Sequence, residues 1–240
     1  MVDWPFDGMR YTALACDYDG TLAWDGRVDA DTLRALERLR ASGRALLMVT
    51  GRELDQLGTV FDRLDLFDRV VAENGALLYH PATGAQRLLA DPPPEAFVEV
   101  LRQAGVEPLS VGRVVVATVS PHETTMLEVI HELGLELQVI FNKGSVMVLP
   151  SGTNKATGLR AALDELGMTP HATVGVGDAE NDHAFLAFCG CGVAVANALP
   201  MLKAAADLVT TAARGAGVVE LIDRLIANDL ADVVPHVRRA

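Results

Sequence analysis

Apolar runs that end in small or acidic residues alternate along this chain with amphipathic stretches of helical period. Tyr11 to Cys16 reads as a short buried strand that stops at Asp17. From Asp29 to Ser42, Leu33, Leu36 and Leu39 share one helical face, acidic residues open the segment and Gly43 stands just past its end, which predicts a helix. Ala45 to Val49 is again strand-like and stops at Thr50-Gly51-Arg52; a helix from Glu53 to Leu64 and a strand from Val70 to Ala72 follow. The rhythm returns near the C-terminus. Helix is expected at Thr157 to Leu166, Asp182 to Phe188 and Val218 to Ala227, and strand at Thr173 to Val176 and Gly192 to Ala196. Strands alternating with helices predict an α/β fold with a parallel sheet. Ligands of such sheets bind beyond the carboxyl ends of the strands, so the polar residues that terminate them are the ones to inspect.

The middle of the chain breaks this rhythm. His80-Pro81-Ala82-Thr83-Gly84 is a turn, and Pro92-Pro93-Pro94 is a rigid stretch that can start a helix at Glu95. Helix to Ala104, strand Val111 to Val119, helix Pro121 to Leu133 and strands Leu137 to Phe141 and Val146 to Leu149 follow, the last two joined by a tight Asn142-Lys143-Gly144 turn. This predicts a small α+β unit at 85–150, inserted into a core formed by 1–84 and 151–240. Residues 235–240 read as a frayed end, and Trp4 and Trp24 as packing residues, Trp24 close enough to Asp19 to line a cleft.

Composition removes several classes. With 32 acidic residues against 20 Lys and Arg, the net charge of −12 argues against a nucleic-acid surface, which needs cations to neutralise phosphates. No apolar run reaches the roughly 18–20 residues of a membrane span, and Met1-Val2-Asp3-Trp4 lacks the basic and apolar regions of a signal peptide. Three cysteines (Cys16, Cys189, Cys191) make no disulfide framework, so a cytoplasmic location is expected. Cys189-Gly190-Cys191 lacks the second ligand pair of a zinc site and reads as a buried turn into a strand.

Four stretches, three of them at strand ends, carry candidate chemistry. Asp17-Tyr18-Asp19-Gly20-Thr21 sets two carboxylates two positions apart before a glycine; a carboxylate there can act as a nucleophile, though Asp-Gly also marks ordinary turns. Gly177-Asp178-Ala179-Glu180-Asn181-Asp182 brings two more aspartates to another strand end, where either could instead cap a helix. Clustered carboxylates need a cation, and all-oxygen ligation suits Mg²⁺. Lys155, one of only three lysines, follows the Pro150 to Asn154 turn at an expected helix start, either as a phosphate-holding charge or as a surface residue. Thr50-Gly51-Arg52 offers a hydroxyl and backbone N–H groups to an anion, or simply a strand-to-helix turn.

Taken together, in their order along the chain (Asp17 to Thr21, then Thr50, then Lys155, then Gly177 to Asp182) and over essentially the whole chain, the four stretches resemble the haloacid dehalogenase superfamily of phosphotransferases. The insert between the second and third stretches, with Glu73-Asn74-Gly75 ahead of it, is similar to the Cof-type, subclass IIB branch; the insert's small size resembles the caps of archaeal-type phosphoglycolate phosphatases. Tyr18 departs from the aliphatic or Phe residue usual in the family. The resemblance implies a Rossmann-like core with an α+β cap and a Mg²⁺-dependent phosphomonoesterase working through an aspartyl-phosphate. Asp17 would be the nucleophile and Asp19 the acid and base. Asp17, the Asp19 carbonyl, Asp178 and Asp182 would surround the metal. Thr50, Gly51, Lys155 and Asn181 would hold the phosphate; Arg52, Asn74, Lys143, Asn142 and Arg113 would be candidates for substrate contact. The implied partner is a small-molecule phosphate ester, with no nucleic acid or membrane, met by a monomer or homodimer. A phosphomannomutase-like phosphomutase and a non-catalytic phosphate sensor are the alternatives.

Overall fold

The computed structural model describes residues 8–236, so Trp4 and the end of the expected frayed tail lie outside it. In chain order the first half forms β1 (Ala13–Cys16), α1 (Ala30–Ala41), β2 (Ala45–Val49), α2 (Leu54–Val60), β3 (Arg69–Ala72), β4 (Leu77–His80), β5 (Ala85–Leu88), α3 (Glu95–Gln103), β6 (Ser110–Val111) and β7 (Val116–Val119). Next come α4 (Glu123–Glu132), β8 (Leu137–Asn142), β9 (Ser145–Pro150), α5 (Lys155–Leu166), β10 (Thr173–Gly177), α6 (His183–Phe188), β11 (Cys191–Ala194), α7 (Pro200–Ala205), β12 (Leu208–Val209) and α8 (Arg214–Asn228).

Strands that are apolar at every position need cover on both faces, which parallel pairing with flanking helices supplies. β1, β2, β10 and β11 are buried throughout. They lie in a sheet of order β12-β11-β10-β1-β2-β3-β4-β5, parallel from β12 to β3, as the alternation predicts. Helix pairs α1 with α8 and α5 with α6 enclose its core. Cys16 stands level with Val176 and Met48, so the chain leaves three strands at one edge, carrying Asp17, Asp178 and Thr50 to the same side.

A second sheet, β6-β7-β9-β8, is antiparallel and closes over Phe97, Leu101, Met126, Val129, Val146 and Val148 with α3 and α4. Asn142 pairs with Ser145, which makes Lys143-Gly144 a two-residue hairpin turn with φ of +47° and +88°. This turn type requires such angles and matches the twist of its strands.

Several elements differ from the sequence reading, which lacks β4, α7 and β12. Ala85–Leu88, expected in the insert, pairs with β4 in the larger sheet, because the His80 to Gly84 turn closes a hairpin there. The expected strand Val111 to Val119 is broken between β6 and β7, where the backbone N–H groups of Arg113, Val114 and Val115 turn onto the Glu73 carboxylate. Helix α5 begins at Lys155 rather than Thr157, since the Asn154 side chain caps the N–H groups of Ala156 and Thr157. Helix α8 begins at Arg214, ahead of Val218. Its early glycines mark close approach: a Cβ on Gly215 would lie 2.2 Å from Thr32 Oγ1. No helix among the described residues is long and apolar enough to cross a membrane.

Candidate active site

Where β1 ends, Asp17 is nearly enclosed, and Lys155, the first residue of α5, reaches it from the next layer. The Lys155 Nζ donates to Asp17 Oδ1 at 2.6 Å and to Asp182 Oδ1 at 2.6 Å. The other Asp182 oxygen accepts the backbone N–H groups of Asp178 (2.7 Å) and Ala179 (2.9 Å), which fixes the loop after β10. Asp178 is fully buried and touches the Thr21 hydroxyl (3.4 Å), the Asn197 amide (3.1 Å) and the Lys143 ammonium from the hairpin tip. One oxygen each from Asp17, Asp178 and Asp182 lie within 4.8 Å of one another.

Three buried carboxylates thus face one buried ammonium and a second that comes from the cap. Burial, reinforced by the charge of Asp182, pushes the Asp17 carboxyl up to about 8 against the opposing pull of Lys155. Burial also raises Asp178, with Lys143 pulling the other way. For Lys155 burial disfavours the charge, but the two carboxylates outweigh it and hold the ammonium protonated.

Asp19 is more open and forms a two-point pair with Arg52, at 2.6 Å to Nε and 2.7 Å to Nη2. The guanidinium lies over the Tyr18 ring at 5.6 Å, and Tyr18 in turn donates its hydroxyl to Gly26 O. Thr50 is buried, and its hydroxyl accepts the Arg52 N–H at 3.1 Å. Between this edge and the cap opens a cleft of about 450 Å³, reached by Asp17, Asp19, Gly51, Arg52, Asn142 and Lys143, with Val115, Ala117 and Met147 forming apolar wall.

The Glu73-Asn74-Gly75 turn, with φ of +50°, +53° and +107°, binds three parts of the molecule together. Glu73, fully buried, accepts three backbone N–H groups of the cap at 2.7–2.9 Å. Asn74 Oδ1 accepts Asn181 Nδ2 at 2.9 Å. Gly75 lies against Asn154, whose carbonyl oxygen would be 2.0 Å from any Cβ there. Asn74 Nδ2 and Asn181 Oδ1 are buried with no hydrogen-bond partner among the described residues.

The family described as haloacid dehalogenase-like hydrolase matches residues 14–112 and 114–222, which include every residue of this cluster. The chain belongs to that family. It is an enzyme, a phosphatase of this hydrolase family. A relative named phosphoglycolate phosphatase, from Natronomonas pharaonis, is 30% identical over 90% of this chain and 98% of its own length. A solved haloacid dehalogenase-like hydrolase from Bacteroides thetaiotaomicron has the same fold, with a TM-score of 0.76 at 21% identity, covering 90% of this chain and 100% of the other. A structure described as a subclass IIB sugar phosphatase of the superfamily does so with a TM-score of 0.71 at 20% identity, over 89% and 98%.

Within this haloacid dehalogenase-like hydrolase, some candidates stand apart from the cleft. Arg113 turns to Asp55 at 3.3 Å. Trp24 is exposed, 4.6 Å beneath the Arg214 guanidinium. Sequence reasoning missed Asn197, which donates to both Gly20 O (2.8 Å) and Asp178, and accepts the Arg214 N–H at 2.8 Å. It follows β11, so the rule that singled out the other strand ends also finds it. Glu73 was read only as part of a family stretch; nothing local in the sequence shows that its carboxylate meets a loop some 40 residues on.

Proposed function

We propose that this phosphatase hydrolyses a small phosphorylated acid, phosphoglycolate or a close analogue, through an aspartyl-phosphate on Asp17 with the help of Mg²⁺. The observation that carries the reading is Asp17 itself, a carboxylate at the floor of the cleft, 2.6 Å from a buried ammonium and beside a second acidic strand end.

The donor set fits a hard divalent cation. Asp17 and Asp178, joined by the Asp19 backbone carbonyl, would hold it through oxygens only, while both Asp182 oxygens already serve Lys155 and two backbone amides. When bound, such an ion neutralises charge on the carboxylates and on the phosphate. An Asp17 carboxyl lifted by burial and Asp182 needs that added positive charge to be ionised at neutral pH.

In the first step an Asp17 oxygen attacks phosphorus and the ester oxygen leaves, taking a proton from Asp19. Asp19 then removes a proton from the water that releases inorganic phosphate. Lys155, the Thr50 hydroxyl and the Gly51 N–H hold phosphate oxygens, and the unpartnered Asn74 amide donor, set beside Asn181, adds a further hydrogen bond. Arg52 and Lys143 supply the two cations of the cleft that can meet a substrate carboxylate. The apolar wall of Val115, Ala117 and Met147 limits the substrate's size. The names of the relatives support a phosphorylated two-carbon acid. A cytoplasmic enzyme of small metabolites fits three buried cysteines.

The test is phosphate release from a panel of phosphorylated acids and sugars, with and without EDTA. Turnover of phosphoglycolate that stops with EDTA, returns with Mg²⁺ and is absent in a folded Asp17→Asn variant supports the reading. Chelator-resistant turnover, or a variant that keeps a tenth of the wild-type rate, overturns it.

A further inference from the structure

Lys143 is a cap residue whose charged end lies on a proposed cation ligand of the core. It stands at the tip of the β8–β9 hairpin, its backbone N–H donating to Glu180 Oε2 at 3.2 Å and its Nζ bonded to Asp178 Oδ2. The path is narrow. A Cβ on Gly20 would sit 2.2 Å from that same Asp178 oxygen and 2.7 Å from the Lys143 Nζ, so only glycine leaves the ammonium room to arrive. Asp178 has no exposed surface, whereas the Lys143 side chain keeps about two-fifths of its own. A carboxylate locked by Thr21 and Asn197 therefore meets a counter-charge on a four-carbon stem that is free to leave.

We infer that Lys143 and a divalent cation exchange at Asp178. This rests on the proposed cation role of Asp17 and Asp178. Without the ion, the ammonium neutralises Asp178 and ties the hairpin tip of the cap to the core. An ion at Asp178 repels the ammonium at short range, where partial burial weakens screening. Lys143 then swings into the cleft it already lines, toward the place where Arg52 stands and where the acid group of a substrate would lie. Cation loading and readiness for an anionic substrate become one coupled event, since the ion delivers a cap cation to the cleft.

With only three lysines in the chain, the exchange is readable by amine chemistry. Lys155 is buried and Lys203 lies on α7, which makes Lys203 an internal control. Brief acetylation of the wild-type protein with and without Mg²⁺, followed by peptide mass spectrometry, is expected to show Lys143 labelling rise about threefold or more while Lys203 stays constant. Calorimetric Mg²⁺ titration is expected to give a Lys143→Met variant that binds about three- to tenfold more tightly than wild type, the size expected for losing one partly exposed competing charge. A wild-type protein that binds Mg²⁺ while either readout stays unchanged, or a variant that binds it more weakly, overturns the exchange and leaves the cation reading standing. Absence of Mg²⁺ binding in both proteins overturns the cation reading and the exchange with it.

Discussion

Replacing Lys155 with Met removes the buried ammonium and keeps most of its stem. Its Nζ lies 2.6 Å from an oxygen of Asp17 and 2.6 Å from one of Asp182, in a residue that is 1% exposed. Two unit charges at that range attract by roughly 6 kcal/mol at an effective dielectric of about 20, a gain largely offset by desolvation. What remains after deleting one partner is an uncompensated buried charge, which costs about 3–5 kcal/mol. Protonating the carboxylates relieves that cost, so the loss depends on pH. Burial and Asp182 already push Asp17 up to about 8, and without Lys155 it rises further. A carboxyl raised in the folded state contributes stability that is complete below its unfolded value of about 4 and disappears as pH climbs through the folded one. The slope is at most about 1.4 kcal/mol per pH unit for each group. Below about pH 8 Asp17 is protonated in both folded proteins, so they share that slope and part only above it; urea unfolding should therefore show a loss of about 3–5 kcal/mol at pH 8 that grows by roughly 1 kcal/mol at pH 9. An equal loss at both pH values, or less than about 1 kcal/mol at pH 8, would refute the view of Lys155 as the counter-charge of this cluster.

Three other perturbations follow from single contacts. Asn197→Ala removes the amide that bonds both Gly20 and Asp178, and calorimetry should show Mg²⁺ affinity about 10–100-fold weaker; unchanged affinity would show that Asp178 holds its orientation without it. Arg52→Met should raise KM for phosphoglycolate by about tenfold or more, the loss of a charged contact, and raise it less for an ester without a carboxylate. Equal effects on the two esters would remove Arg52 from substrate selection. Gly112→Ala places a Cβ 2.8 Å from Glu73 Oε2, and thermal melts should show about 1–3 kcal/mol of destabilisation; wild-type stability would mean that the cap loop yields easily.

The sheet core was legible because its strands are uninterrupted apolar runs that end in Asp17, Thr50 or Gly177-Asp178, and because parallel register carries those ends to one edge. Other features are properties of contact, which periodicity does not record. β5 is exposed at every position and has no apolar face to reveal it. The break in the expected Val111 to Val119 strand comes from a distant carboxylate, and the start of α8 is masked by glycines that allow close approach, Gly215 to Thr32 and Gly217 to Ala212. In the cleft, the residue types were readable one by one. Their pairings were not: Lys155 between two aspartates and Arg52 on Asp19 arise only when distant segments of the core meet, and Lys143 on Asp178 only when the cap meets the core.

The central claim is that Asp17 accepts the phosphoryl group. Acid quenching during steady turnover, then borohydride reduction, converts an acyl phosphate to homoserine at the residue that carried it. Peptide mass spectrometry should find that change at position 17. Reduction at Asp19 or another carboxylate, or at none while phosphate is being released, would contradict the account.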